Sequence, residues 1–403
     1  MKLSEELLWR GFYAETSIKD PAELDNRASK KFYWGADPSA DSLTIGNLAA
    51  AMMCACFVRH GYEPYLLVGG ATGQIGDPKD NGERDLKSLE EVEHNKACIA
   101  AQMRQIFRRD DVTQVDNYDW FKDINYLSFL REVGKVFSMT QLLDRQFVQN
   151  RIGEGGSGIS YAEFSYTLIQ GYDFLYLYRK YGIDLQLCGA DQFGNCSSGI
   201  HLIKRLENAT ADAWSTPLII DPATGRKFGK SEGNAIWLSS EKTSIFDFYQ
   251  FWINQPDTAV EYLMKIYTLL DKPEVEKIMA EHQTHPEQRI AQKALARGVT
   301  AVVHGDENAE AVIGLSERLF AEDLSSLSGE EISEFGQYLA KAEPGTKLFD
   351  ALVATGLCAS KGEARKLAAA GAISVNGVKV NDDTEINQIA ILKRGKNKFA
   401  VVM

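Results

Sequence analysis

Two apolar periods run along this chain. Residues 31–37, 64–69 (Pro-Tyr-Leu-Leu-Val-Gly) and 184–190 (Asp-Leu-Gln-Leu-Cys-Gly-Ala) are short apolar runs leading through glycine-containing turns into helical patterns, the last of which continues to about 206. Short apolar runs bounded by turns read as buried strands. Repeated strand–turn–helix units predict an α/β fold on a parallel sheet, with binding crevices at the carboxyl ends of the strands. Elsewhere the period is that of a helix: 97–107, 126–150, and almost everything from 243 to 320, with Pro256, Pro273 and Pro286 marking breaks. Residues 321–344, rich in Ser, Glu and Gly, read as a linker. The first nine residues form an amphipathic helical pattern without the apolar core of a signal peptide.

The last 59 residues carry clear local signals. Ser360 and Glu363 have the spacing of a capping box, so a helix is predicted to start there and stop at Gly371. Residues 372–380 alternate across Asn376-Gly377, the signal of a hairpin with a type I′ turn. Lys361, Arg365 and Lys366 on that helix, followed by Lys393, Arg394, Lys396 and Lys398, make this module an RNA-binding candidate or, alternatively, a small structural cap with solvated lysines.

Within the aromatic run 164–178, Tyr166, Gln170 and Asp173 are four and then three residues apart. At about 100° per residue they share one helix face. A phenol, an amide and a carboxylate together can hold a ligand bearing an ammonium and a hydroxyl. The run alone fits equally well a core helix whose polar groups satisfy one another.

Composition adds limits. At 44% hydrophobic and 25% charged, the chain has the balance of an ordinary globular protein, and 403 residues suit two or three domains. No apolar stretch approaches the roughly 20 residues of a membrane span. Six cysteines without a CxxC pair indicate neither a zinc site nor a disulfide framework, so a reducing cytoplasm is the simplest setting. The net charge of −12 argues against indiscriminate nucleic-acid binding, yet residues 345–403 carry +4 on a body of −16.

Two glycine loops remain. Residues 68–77 have the spacing GxxGxxG from Gly70, which is not a dinucleotide fingerprint. Residues 225–231 (Gly-Arg-Lys-Phe-Gly-Lys-Ser) are one residue short of a Walker A loop, but offer two lysines and a hydroxyl suited to a polyphosphate. In isolation that segment fits a solvated surface turn.

Together these segments resemble bacterial tyrosyl-tRNA synthetases, which are class I aminoacyl-tRNA synthetases. The resemblance rests on Tyr33–Asn47, the Gly69–Asp77 loop, Tyr166/Gln170/Asp173, Gly189-Ala-Asp-Gln192 and Lys227-Phe-Gly-Lys-Ser231, which occur in the family's order. The tail from Leu348 resembles the ribosomal-protein-S-four-like domain of those enzymes. The resemblance implies a Rossmann-like catalytic domain over 1–242, with a dimer-forming insertion at about 126–150 and the Lys227–Ser231 loop. A helical anticodon-side domain (243–320), the linker (321–344) and a small α+β RNA-binding domain (345–403) would follow.

The resemblance further implies that tyrosine attacks the α-phosphate of ATP, and that the tyrosyl group then moves to the terminal ribose of tRNA. Tyr33 and Asp173 would bond the substrate phenol. Asp77, Tyr166 and Gln170 would hold the ammonium, with Gln192 at the tyrosine backbone. Asp37, Ser39, Gly46, Gly189, Asp191 and Lys230 would bind ATP, brought as its magnesium complex without a tightly held protein metal. Lys227, Lys230 and Ser231 would steady the pyrophosphate with Thr44, Asn47, Arg84 and Lys79. A homodimer is the implied assembly.

The family usually has His-Ile-Gly-His where this chain has Thr44-Ile-Gly-Asn47, and neither Thr nor Asn can become cationic. The lysine loop is therefore expected to carry more of the phosphate charge. Ala36, Cys188 and Phe193 also replace usual family residues, with effects expected on packing. Two other readings compete: the tryptophanyl relative, whose indole has no hydroxyl for Tyr33 and Asp173 to read, and a non-catalytic RNA-binding or splicing protein on the same scaffold.

Overall fold

The computed structural model describes residues 1–75, 88–143, 146–153, 158–220, 228, 230–231, 234–321 and 324–403. They form two compact units, Met1–Ala235 with Lys265–Tyr267, and Ile236–Met264 with Thr268–Met403.

In chain order the first unit contains α1 (Leu3–Arg10), β1 (Lys31–Ala36), α2 (Ile45–Arg59), β2 (Glu63–Val68), α3 (Thr72–Ile75), α4 (Leu89–Phe107) and β3 (Thr113–Val115). Then come α5 (Tyr118–Phe121), α6 (Tyr126–Glu132), α7 (Met139–Leu143), α8 (Gln146–Ile152), α9 (Tyr161–Tyr181), β4 (Leu185–Gly189), α10 (Phe193–Leu206) and β5 (Asp212–Thr216). A short antiparallel pair, β6 (Lys230–Ser231) and β7 (Asn234–Ala235), follows. The five-stranded parallel sheet has the order β3-β2-β1-β4-β5. The chain steps outward from β1 to β3 and returns to β4 on the other side of β1. That reversal is where ligands of open parallel sheets bind, beyond the carboxyl ends of the strands.

Twelve of the fifteen residues of α2 are buried, so it is an interior helix, apolar on nearly every side. Its carboxyl end is fixed by charge. The buried Glu6 carboxylate accepts from Arg10 Nε at 2.7 Å, meets His60 Nε2 at 2.8 Å, and is also paired with Arg59. Burial alone would raise the Glu6 pKa, but Arg10, His60 and Arg59 together hold it below the ordinary 4.5. A carboxyl depressed in this way stabilises the fold fully above its unfolded value, and that stabilisation is lost as pH falls through the lower native value. Glu6→Gln is expected to cost about 3–5 kcal/mol at pH 7, because it leaves the buried Arg10 guanidinium without its carboxylate. Denaturation followed from pH 7 to below 4.5 checks this. A gap between variant and wild type that fails to narrow with acid contradicts it.

The stretch 126–150, predicted as helical, is helical with a break. Gly134–Val136 is a 3-10 turn and Phe137 is extended, so α6 is separated from α7, while the join between α7 and α8 lies outside the described residues. Glycine within a β-branched pair (Val133, Val136) removes the helical preference locally.

The second unit begins with α11 (Ile245–Ile253), α12 (Asp257–Tyr267, whose last turn counts with the first unit), α13 (Lys272–Thr284), α14 (Ile290–His304) and α15 (Asp306–Ala321). Pro256 caps α12, Pro273 lies in the first turn of α13, and Pro286 opens a 3-10 turn. All three sit at starts, where a missing N–H costs nothing. Next are α16 (Gly329–Phe335), β8 (Ala340–Ala342), β9 (Thr346–Lys347), α17 (Leu348–Ala354), α18 (Lys361–Ala369), β10 (Ile373–Val375), β11 (Val378–Lys379), β12 (Glu385–Ile386), β13 (Ala390–Arg394) and β14 (Lys398–Val402). The tail sheet has the order β11-β10-β13-β14-β8.

Ser360 caps α18 by accepting from Glu363 N at 3.2 Å, and Gly371 just beyond the helix has φ +67°. Asn376 and Gly377 have φ 48° and 78°, both positive as a type I′ turn requires. The linker expectation needs correction. In the described part of 321–344, Ser328 accepts from Glu331 N at 3.3 Å and Glu331 accepts from Ser328 N at 2.8 Å, a capping box opening α16. The Ser and Glu that mimic linker composition are thus helix signals. Downstream, β8 pairs in parallel with β14, and Phe399 of β14 packs edge-on against Phe246 at 5.7 Å and Phe320 at 5.6 Å. Helices and tail share one core.

All six cysteines are free and all but Cys98 are buried. Among the described residues no helix is long and apolar enough to cross a membrane.

Candidate active site

A cavity of about 500 Å³ opens where β1 meets β4. Its walls come from four places along the chain. From β1 and the loop after it come Tyr33, Asp37 and Ser39; from the start of α2, Thr44, Gly46 and Asn47. Helix α9 adds Tyr166, Gln170 and Asp173, and the end of β4 with the turn behind it adds Gly189, Asp191 and Gln192. Lys230 and Ser231 form β6, with only their backbone described. Asp77, Lys79, Arg84 and Lys227 lie outside the described residues.

Helix α9 is fixed at its start by Ser160, which accepts from Glu163 N at 3.2 Å, and by a buried Arg151–Glu163 pair at 3.0 Å. Packing of α10 against it depends on Gly199, where a Cβ would come within 2.6 Å of the Phe174 Cβ. Phe174 in turn meets the Tyr33 ring edge-on at 5.2 Å. The face predicted from the four-and-three spacing is the one that lines the cavity.

Asp173 is 1% exposed, and both its oxygens are engaged. Trp120 Nε1 donates to Oδ1 at 3.0 Å and Asn117 Nδ2 to Oδ2 at 3.1 Å. Burial pushes its pKa well above the ordinary carboxylate value, and the charges of Asp37 and Asp116 add to the rise, against the lowering effect of those two donors. The Tyr33 hydroxyl, fully buried, has no hydrogen-bond partner among the described residues. Burial drives its pKa well up, as do nearby Cys196, Asp173 and Cys188, so it stays a neutral phenol able to donate. Tyr166 donates to Asp37 at 2.9 Å, while Gln192 Oε1 accepts from Asn195 at 3.2 Å.

Asn117 and Trp120 are missing from the sequence-derived set, as is Asp116. Asn117 also accepts from Ala71 N at 2.7 Å, and Asp116 accepts from Gly70 N at 2.8 Å while pairing with Lys96. These contacts tie the glycine loop after β2 to the loop after β3. A Cβ on Gly70 would lie 2.5 Å from Asp116 Oδ1, so that close approach requires glycine. Asp116 and Asn117 follow β3, a Thr-Gln-Val strand too short to mark the loop behind it in the sequence.

At the start of α2, Thr44 Oγ1 donates to Asn47 Oδ1 at 2.9 Å, and Thr44 N reaches the same oxygen at 3.1 Å. A hydroxyl has one proton, and here it is directed at Asn47 rather than outward. Thr44 therefore orients Asn47, whose amide nitrogen and the N–H groups of the first turn are the groups suited to an anion.

The family described as tRNA synthetases class I (W and Y) matches residues 25–321, and the Tyrosine--tRNA ligase SYY-like C-terminal domain matches residues 332–402. A tyrosine–tRNA ligase of Staphylococcus haemolyticus is 40% identical over 416 residues, covering 99% of this chain and 98% of the relative. That of Streptococcus gordonii is 38% identical over 420 residues, covering both chains fully. Among solved structures, a C-terminally truncated mitochondrial tyrosyl-tRNA synthetase of Aspergillus nidulans superposes with a TM-score of 0.69 at 29% identity, covering 79% of this chain and 94% of that one. The chain belongs to the class I tRNA synthetases of the tryptophan and tyrosine type.

Proposed function

We infer that this protein is a tyrosine–tRNA ligase, which joins tyrosine to ATP as tyrosyl-adenylate, releasing pyrophosphate, and then passes the tyrosyl group to the terminal adenosine of tRNA(Tyr). The observation that carries this reading is the pairing, in one cavity, of an unpartnered buried Tyr33 hydroxyl with an Asp173 carboxyl anchored by Asn117 and Trp120. A buried polar atom without a partner at the wall of a cavity is a place where a ligand's polar group can bond. A phenol supplies such a group; an indole has no hydroxyl to offer.

The attacking group is the amino acid's own carboxylate, already ionised, so the first step needs no general base. Rate then comes from alignment and from stabilising charge on the phosphates. Tyr33 and Asp173 would hold the phenol; Asp77, Tyr166 and Gln170 the ammonium; Gln192 the tyrosine backbone. Asp37, Ser39, Gly46, Gly189 and Asp191 would seat the nucleotide, whose magnesium arrives with it. Thr44, through Asn47, would serve the phosphates together with Arg84, Lys227, Lys230 and Ser231. Free thiols throughout suit a reducing cytoplasm.

Tyrosine-dependent exchange of labelled pyrophosphate into ATP tests the reading, and its absence overturns it. In the same assay Lys230→Ala is expected to slow adenylate formation more than Thr44→Ala, with tyrosine affinity nearly unchanged. The ammonium meets charge that grows in the transition state, whereas the Thr44 proton is already given to Asn47. Equal losses would contradict this.

The proposed assembly is a homodimer through the α6–α8 region. No residue of α6 is buried, and Tyr126, Leu127, Met139, Leu143, Ile152 and Tyr161 are all exposed. Clustered apolar exposure of this kind marks an interface, for which roughly 1,200–2,000 Å² or more is expected. Sedimentation at micromolar concentration is expected to give a dimer, and Leu127→Asp a monomer. A wild-type monomer would sink the proposal.

A further inference from the structure

The loops that hold Asp173 are themselves held from outside the cavity. Asp116, next to Asn117 in the loop after β3, divides its carboxylate between two tasks. Oδ1 accepts from Gly70 N at 2.8 Å and from Tyr118 N at 2.9 Å, which joins the loop after β2 to the loop after β3. Oδ2 is paired with the ammonium of Lys96 on α4. The Lys96 side chain is 8% exposed and that of Asp116 15%, whereas Glu93, which also meets Lys96 at 2.7 Å, is 69% exposed. Water can serve Glu93; Asp116 depends on Lys96. Both members of the pair stand behind the cavity, whose wall at this point is Gly69 and Thr72.

We propose that Lys96 is a positioning residue for the amino-acid half of the site: by neutralising Asp116 it holds the loops after β2 and β3 together, and through Asn117 it fixes Asp173. The proposal rests on the reading of this cavity as a tyrosine site. Asn117 follows Asp116 directly, accepts from Ala71 N at 2.7 Å, and donates to Thr72 Oγ1 at 3.2 Å and to Asp173 at 3.1 Å. Without the ammonium, Asp116 is a nearly buried carboxylate with no cation, and it must turn to water or draw water in. Gly70 and Asn117 then lose their fixed places. The loop after β1 is held by other residues of the same helix. Asn95 Nδ2 donates to Pro38 O at 2.9 Å, while Gln102 donates to Ser42 Oγ at 3.0 Å and accepts from Leu43 N at 2.9 Å. The nucleotide side therefore keeps its own supports when Lys96 is removed.

The test measures pyrophosphate exchange with varied tyrosine and varied ATP for Lys96→Met and for Lys96→Met combined with Asp116→Asn. Lys96→Met is expected to raise the KM for tyrosine about tenfold or more, with the KM for ATP within about twofold of wild type. Asparagine keeps the oxygen that Gly70 N and Tyr118 N need and brings no charge. The double variant is therefore expected to return the KM for tyrosine to within about threefold of wild type. A packing role for the lysine stem would give no such rescue. A Lys96→Met variant whose two KM values are unchanged, or raised alike, overturns the proposal. Where Lys96→Met fails to fold, the double variant decides. A double variant that fails to fold, or whose KM for tyrosine stays high, overturns the proposal as well. Wild-type protein that does not exchange with tyrosine would instead overturn the ligase reading itself.

Discussion

Tyr33→Phe and Asp173→Asn should each erode selection of tyrosine over phenylalanine by about five- to 150-fold, with ATP use changed far less. The figure is the cost of about 1–3 kcal/mol for a buried polar group left unpaired when its partner is missing. In the wild-type protein that penalty falls on phenylalanine, which has no hydroxyl for the Tyr33 and Asp173 groups. Removing either group removes part of the penalty, so the ratio narrows from both sides: tyrosine binds less well and phenylalanine is rejected less. Asp173→Asn carries an added effect. Trp120 and Asn117 each donate to one carboxylate oxygen, and an amide can accept from only one of them. The amide must turn, and the phenol end loses its fixed orientation. Steady-state pyrophosphate exchange with the two amino acids and with varied ATP provides the measurement. If discrimination is unchanged in both variants, the phenol end of the cavity lies elsewhere.

The second large effect concerns the tail. Ending the chain after Leu327 is expected to leave tyrosine-dependent exchange within about threefold of full length and to lower tRNA charging by about tenfold or more at moderate salt. That cut removes α16 and β8 with the rest of the tail. A cut near Ala342 would instead leave β8 without β14, its parallel partner. The expected loss comes from cations that neutralise RNA phosphates, so charging by the full-length protein should weaken as salt rises while the truncated protein is nearly insensitive. Not every basic residue of the tail can contribute equally. Arg394 is paired with Glu363 at 2.8 Å and also donates to the Leu357 carbonyl, and Lys361 pairs with Asp350 at 2.5 Å. Arg365, Lys366, Lys396 and Lys398 are exposed and should carry most of the effect. Because Phe399 covers Phe246 and Phe320, the truncated protein should also melt earlier. Equal charging by both proteins at physiological salt would reduce the basic tail to a solvated face.

What could be read from the sequence was local. The face shared by Tyr166, Gln170 and Asp173 follows from helical geometry, and the Asn376-Gly377 turn from its need for two positive φ angles. The strands β1, β2 and β4 announce themselves as apolar runs, but β3 is only Thr-Gln-Val and β5 is Asp-Ala-Trp-Ser-Thr, too short and too polar to stand out. Without β3 the loop behind it has no address. Asn117 and Trp120, which hold Asp173 from 56 and 53 residues away in the chain, could not be placed beside it. Lys96 was invisible for a related reason, since only the packing of α4 sets it beside Asp116, 20 residues further along. Thr44 shows a different limit. Its residue type states that it can donate, and only the geometry states that the recipient is Asn47.

The distribution of sulfur makes this protein a convenient object for site-selective chemistry. Cys54, Cys56, Cys188, Cys196 and Cys358 are buried, while Cys98 on α4 is only half-buried. Burial also pushes the thiols of Cys54, Cys196 and Cys358 up, and that of Cys56 to about 12, which suppresses the thiolate that electrophiles need. A maleimide dye added to the native protein would therefore mark a single position without any engineered cysteine, and the other five thiols would react only as the chain opens. The same reagent then serves first as a fluorescent reporter on α4 and afterwards, counted by mass, as a clock for unfolding.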